Sequence, residues 1–179
     1  RAECRRLLNL HERAIEDANF ILSIDPMNTD GKYELAQNHY ALGDYKEAYL
    51  NYFSGYLDLN HSIEKGLSYS IDTIYKSYTI DTISKRKRWD GLNVSYEEAL
   101  LMRPVTQYFV AKSADMIDFK YEDNNERASI WHYTDLILWL EKYKFPVYDK
   151  FLKTDHKFLN TIRQRDLFWY LSSIRNLAD

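Results

Sequence analysis

The side chains able to carry chemistry in this chain are five histidines, one cysteine and scattered carboxylates. His11, His39, His61, His132 and His156 stand far apart in sequence. His132 and Asp135 are three residues apart, a spacing that puts both on one face of a helix. Such a pair can orient a metal ion or pass a proton only when a third group converges on the same point. A surface hydrogen bond is the expected role. Cys4 and His11 lie in successive segments, and a thiolate–imidazole dyad would require the fold to bring them face to face. Asp72 and Asp81, in twin Ile-Asp-Thr-Ile words, are nine residues apart and need not share a face. There is no Gly-rich phosphate loop, no His-Glu-x-x-His pair and no nucleophile elbow. No catalytic residue, no metal site and no cofactor is expected.

The elements that would position these groups read as helices throughout. Ala2 to Leu10 carries Ala2, Leu7, Leu8 and Leu10 among charged residues, and Glu12 to Ile24 carries Ala14, Ile15, Ala18, Ile21 and Leu22 at helical spacing. Asp25-Pro26 stops the second of these, because proline disfavours the helical conformation of the residue before it. Thr29 to Leu42 and Tyr45 to Leu57 follow, separated by Gly43-Asp44, and Ser62 to Ser84 reads as a further long helix. Ser95 with Glu98 fits a capping box, opening a helix that Pro104 restarts or kinks and that runs on through Val105 to Phe119. Tyr121 to Asn125 is polar and reads as a loop; Glu126 to Tyr143 is helical and ends before Phe145-Pro146. Val147 to Leu177 has no Gly or Pro and predicts two helices, split near Thr154-Asp155 or at Asp166, or one long one.

Composition bounds the possible partners. The net charge of −3 and the pI near 6.0 count against a general nucleic-acid or membrane-surface binder. Lys85-Arg86-Lys87-Arg88 beside Trp89 has the form of a nuclear-import or nucleic-acid contact, but cations after a helix end also suit the helix dipole in a solvated loop. The solvated loop is the expected reading, so nucleic acid is not an expected partner. A single cysteine excludes an intramolecular disulfide and fits a reducing, cytoplasmic setting. The longest apolar run, Leu136 to Leu140, is far too short to span a bilayer. The chain opens on Arg1 and enters helix-like sequence at once, as expected of a segment of a longer protein.

An internal repeat organises the N-terminal third. A shift of about 34 residues places Ala2 on Ala36, Asn9 on Gly43, Ala14 on Ala48 and Pro26 on Asn60. Small residues thus recur where two helices of a hairpin would approach closely. This stretch resembles the tetratricopeptide repeat. Leu35-Ala36 takes the place of the pattern's Leu-Gly pair, His39 that of its Tyr, Ala48 its Ala, Tyr52 its Phe and Gly55 its second small residue. Lys32 stands where the pattern has Trp, and Asn60 where it has Pro. The resemblance covers residues 1–62; residues 63–179 read as a divergent helical extension packed on the repeats, because an isolated repeat cannot bury its apolar face.

The resemblance implies an all-α protein in which helical hairpins continue into a right-handed stack of about nine helices. It also implies an adaptor or scaffold whose groove holds a protein or peptide partner. The positions that would line this groove are Glu3, Arg6, Asp30, Tyr33, Gln37 and Tyr40, joined by Leu67 and Ile71 if the next layer is repeat-like. Relatives that clamp a chaperone's terminal carboxylate use an Asn and basic residues here. Glu3, Tyr33 and Glu34 occupy those places, and the two carboxylates would repel such a tail. The alternative is a helical accessory or regulatory region of a larger enzyme, with catalysis outside this chain.

Overall fold

The computed structural model describes residues 1–67, 96–121, 125–145 and 157–178. Among them the fold is all-α: seven α-helices, one π-helical turn and no strand. The helices are α1 (Ala2–Leu7), α2 (His11–Ile24), α3 (Thr29–Ala41), α4 (Tyr45–Leu67), α5 (Tyr96–Met116), α6 (Ala128–Trp139) and α7 (Lys157–Ala178). The packing divides the chain into two compact units, Arg1–Arg103 and Pro104–Asp179. The division falls inside α5, at Pro104, which supplies no N–H to the helical ladder.

In the first unit, α1 and α2 form one hairpin and α3 and α4 another, with α3 also packed on α2. Each hairpin turns at a residue in the left-handed region, Asn9 at φ 57° and Gly43 at φ 81°. The bonding is the same at both. Asn9 N–H donates to Arg6 O at 2.9 Å and Leu10 N–H to Arg5 O at 2.8 Å; Gly43 N–H donates to Tyr40 O at 3.1 Å and Asp44 N–H to His39 O at 2.9 Å. This is the Schellman ending, which satisfies carbonyls that a helix end leaves open. The entry to α3 is capped differently: Asn28 Oδ1 accepts from Gly31 N–H at 2.8 Å.

The core of this unit is small on one side and aromatic on the other. Ala2, Ala14, Ala18, Ala36 and Ala48 are buried, so the helices can approach closely. On α4, Tyr49, Tyr52, Tyr56, Leu59 and Ile63 form a buried stripe at alternating spacings of three and four. That stripe corrects an expectation. A break between Leu57 and Ser62 was expected, yet α4 runs unbroken through Asn60, because the apolar face stays in phase and Asn60 lacks the ring that would stop it. Gly55 differs as well: a Cβ there would meet nothing within 4 Å, so no close approach requires it. The tight contact lies instead at Gly31, where a Cβ would sit 3.1 Å from Leu22 Cδ2 and 3.3 Å from Ile21 Cγ2.

In the second unit α7 packs on α6. Helix α5 ends as the hairpins do, with Asp118 at φ 46° and Phe119 N–H donating to Ala114 O at 3.0 Å. The polar link to α6 contains an isolated bridge between Lys120 and Arg127. Helix α6 does not continue as an α-helix to Tyr143; it widens into a π turn over Leu140–Lys144. Helix α7 passes through Asp166 without a break, so the proposed division there is overturned. Asp166 is fully buried and ion-paired with Arg165 on the same helix and Lys144 on the π turn, so it does not mark an end. The other proposed division, Thr154-Asp155, lies outside the described residues, as do Asp72, Asp81, Ser95, His156 and the run from Lys85 to Gly91.

The glycines give opposite predictions. Gly43→Ala forces an L side chain into the left-handed region and is expected to lower stability by about 1 kcal/mol. Gly55→Ala removes backbone freedom from the unfolded chain in an open helical site and should raise stability by about 0.5–1 kcal/mol. Urea midpoints at constant m-value test both, and a loss at Gly55 equal to that at Gly43 would contradict the geometry.

Candidate functional site

Six of the residues suggested for partner binding lie on α1 and α3. Asp30, Tyr33, Gln37 and Tyr40 recur at spacings of three and four, which puts them along one side of α3. Asp30 is exposed, and Tyr33, Gln37 and Tyr40 are half-buried. The two tyrosine rings rest edge-on against α4: Tyr33 on Tyr52 with centroids 5.7 Å apart, Tyr40 on Tyr45 at 5.2 Å. Burial, together with neighbouring Tyr33 and Tyr40, pushes the Tyr52 hydroxyl well above the ordinary phenol range, so it stays protonated.

Ion pairs tie these helices together. On α1, Glu3 is exposed, while Arg6 Nε donates to Glu34 Oε2 on α3 at 3.1 Å. Glu34 is therefore partly neutralised, which weakens the repulsion of an incoming carboxylate and leaves Glu3 as its exposed source. Lys32, where the repeat pattern carries Trp, instead reaches Asp58 on α4 at 2.5 Å. Asp17 takes Arg1 at 2.5 Å and Arg5 at 3.0 Å; the Arg1 hydrogen bond holds its carboxyl below the usual range. Leu67 closes the described part of α4, and Ile71 lies outside the described residues.

The candidate chemical groups do not assemble. Cys4 is exposed, and His11 Nδ1 faces Asn38 Oδ1 at 2.9 Å. His39, at the pattern's Tyr position, is half-buried, with Nδ1 3.2 Å from Asp44 Oδ2 across the turn at Gly43. His132 and Asp135 are no surface pair. His132 is fully buried, and Gln107 Nε2 donates both to Asp135 Oδ2 and to the His132 carbonyl, the latter at 3.2 Å. The expectation failed because helical spacing says which residues share a face, not which face is covered. Among the described residues no group of three or more His, Cys, Asp or Glu could hold a metal. No described helix is long and apolar enough to cross a membrane.

One charged cluster was not foreseen. Lys144, on the π turn, is 2% exposed and lies 3.7 Å from the fully buried carboxylate of Asp166. Arg165 donates to the same carboxylate from Nε at 3.1 Å and Nη2 at 2.7 Å. Lys144 Nζ also stands 5.7 Å from the Trp139 ring centroid. In sequence these residues look like ordinary helix-surface charges, and only the long-range packing of α7 reveals them. No family model, no curated protein and no solved structure matches this chain.

Both buried features yield predictions. Burial holds the His132 pKa at about 4, below the ordinary 6.5, with Asp135 opposing the shift. Between these values the unfolded chain takes up a proton that the folded chain refuses. The associated stability is therefore whole above pH 6.5, falls as pH drops toward 4 and then levels, a loss of about 3 kcal/mol. Urea midpoints across this window should slope less in His132→Gln, and an unchanged slope would exclude His132 as the source. Asp166→Ala leaves Lys144 buried without its carboxylate and should cost roughly 3–5 kcal/mol. The double variant Lys144→Met with Asp166→Leu should cost far less, measured the same way.

Proposed function

We propose that the first unit is a tetratricopeptide-like interaction module that holds an extended segment of a partner protein along α3. On this reading Glu3, Arg6, Asp30, Tyr33, Gln37 and Tyr40 contact the segment, joined by Leu67 and Ile71 if the next layer is repeat-like. The helices of the chain would form a right-handed superhelix of about nine members. The role is that of an adaptor or scaffold, without catalysis or a cofactor, acting in the cytoplasm.

Two features support the repeat. The turns at Asn9 and Gly43 share their donors and acceptors at an offset of about 34 residues. Ala14 and Ala48, at the same offset, are both 0% exposed. The observation that carries the function is the row on α3. Tyr33 and Tyr40 are half-buried, each ring braced edge-on by Tyr52 or Tyr45. Braced rings lose little freedom when a ligand lands on them, and Gln37 between them both donates to and accepts from a peptide backbone.

The test is a cross-linked pull-down with the whole chain and with Tyr33→Ala, Gln37→Ala and Leu50→Ala. Leu50, exposed on α4, serves as the control. Recovery of a common partner should fall several-fold for the first two variants and hold for the third. Equal recovery by Tyr33→Ala, Gln37→Ala and the parent chain would remove α3 as the site.

A further inference from the structure

The buried face of α6 changes register where the π turn begins. Ser129, His132, Tyr133, Leu136, Trp139 and Leu140 are buried and make one face of α-helical period. Continued as an α-helix, that face would next take Tyr143, three residues past Leu140 and four past Trp139. Instead Tyr143 is 43% exposed, and Lys144 is 2% exposed. The π turn over Leu140–Lys144 accounts for the exchange. Bonding from i to i+5 admits one extra residue, so the place that Tyr143 would fill passes to Lys144.

The exchange runs against solvation, because a phenol ring is largely apolar and an ammonium is costly to bury. Helix α7 supplies the compensation. The carboxylate of Asp166, itself fully buried, lies 3.7 Å from Lys144 Nζ and also takes Arg165, whose Nη2 stands at 2.7 Å. At the ends of the same turn, Phe145 meets Tyr170 edge-on with centroids 5.2 Å apart, and Tyr170 donates to Glu141 at 2.5 Å. Tyr143 is held differently. Its ring neighbours among the described residues, Trp139 at 6.2 Å and Lys142 Nζ at 4.9 Å, lie on its own segment. What keeps the turn wide is therefore on α7, and the tyrosine has no part in it.

We infer that the end of α6 is a two-register element. In the first register the turn is π, Lys144 is sealed against Asp166 and Tyr143 faces water. In the second the turn rewinds as α-helix, Tyr143 takes the buried place and the Lys144 amine swings out to solvent. Removing one residue from the turn rotates the chain after it by about 100°, so Phe145 leaves Tyr170 as well. The pair between Lys144 and Asp166 selects the first register, and loss of either charge selects the second. The destabilisation that follows loss of Asp166 is then the difference between the two registers. The element lies within the second unit and does not depend on the reading of α3.

The experiment labels the whole chain with acetic anhydride, for lysine amines, and with tetranitromethane, for tyrosine rings. Peptide mass spectrometry reads Lys144 and Tyr143, with exposed Lys46 as the reference amine. In the parent chain Lys144 should react at least about tenfold more slowly than Lys46, while Tyr143 is nitrated readily. Asp166→Asn should speed acetylation of Lys144 several-fold and slow nitration of Tyr143 several-fold. These opposed changes separate a change of register from unfolding, which exposes both residues together. Faster acetylation of Lys144 with nitration of Tyr143 unchanged overturns the proposal, as does a variant in which neither rate moves. Should Asp166→Asn unfold, Tyr143→Asn decides, since it alters only a water-facing side chain of the parent. The second register must then bury an amide in place of the ring, so acetylation of Lys144 should become several-fold slower than in the parent. An equal or faster rate there overturns the proposal.

Discussion

A helix can fold back on its neighbour only after its last carbonyls have found donors, and that requirement shapes this protein more than any single contact. At three helix ends of this chain one residue enters the left-handed region, where most side chains collide with their own backbone. Asn9, Gly43 and Asp118 each accept that conformation, and each is followed by an N–H that reaches back to the last turn. At the first two, the helices that emerge lie close enough for Ala14 and Ala48 to be sealed from water. A larger residue at either alanine would separate the helices, and a β-branched residue at either turn would prevent the reversal. Local backbone chemistry and side-chain volume therefore specify the same two hairpins, the agreement between levels expected of a chain with one folded answer.

The two units spend their polar groups differently. In the first, ion pairs join helix to helix near the surface: Arg6 with Glu34, Lys32 with Asp58, Arg1 and Arg5 with Asp17. Each retains some exposure on at least one partner, so its net contribution is modest and its main effect is to fix register. In the second, Lys144 and Asp166 meet out of reach of solvent, where desolvation cancels much of the attraction and the loss of either partner is severe. Gln107 bridging Asp135 and the His132 carbonyl belongs to the same pattern. Burial of His132 ties the stability of the second unit to pH.

What could be read from the sequence follows this division. Gly43 announces its turn because glycine is the cheapest residue there, and the alanines announce themselves by recurring; so the first four helices were legible. Asp118 performs the same task as Gly43 but looks like any surface carboxylate, and it was missed. Asn60 misled in the other direction: in the repeat pattern its position closes a helix, yet it has no chemistry that enforces a stop. Asp166 and His132 were misread, and Lys144 was passed over, for one shared reason. Burial of an ionisable side chain depends on contacts far away in sequence, Lys144 with Asp166 or Gln107 with Asp135, and periodicity carries no trace of them. On α3 the spacing of Tyr33, Gln37 and Tyr40 was visible, but the bracing by Tyr45 and Tyr52 was not, since it depends on the phase between two helices.

On the proposed reading of α3, that bracing bears on how a surface with so little charge chemistry would select a ligand. A free tyrosine on a helix must surrender rotamer freedom on binding, and that loss competes with the contact it makes. Tyr33 and Tyr40 have already surrendered it, to Tyr52 and Tyr45, during folding. The cost is carried by α4, whose stack of Tyr49, Phe53 and Tyr56 is itself steadied by Arg103 5.4 Å from the Tyr56 ring and bonded to Asn60 at 2.7 Å. Asn60 therefore has a use in place of the stop that the repeat pattern assigns to it. By letting α4 continue, it holds the arginine that closes the far end of the aromatic row.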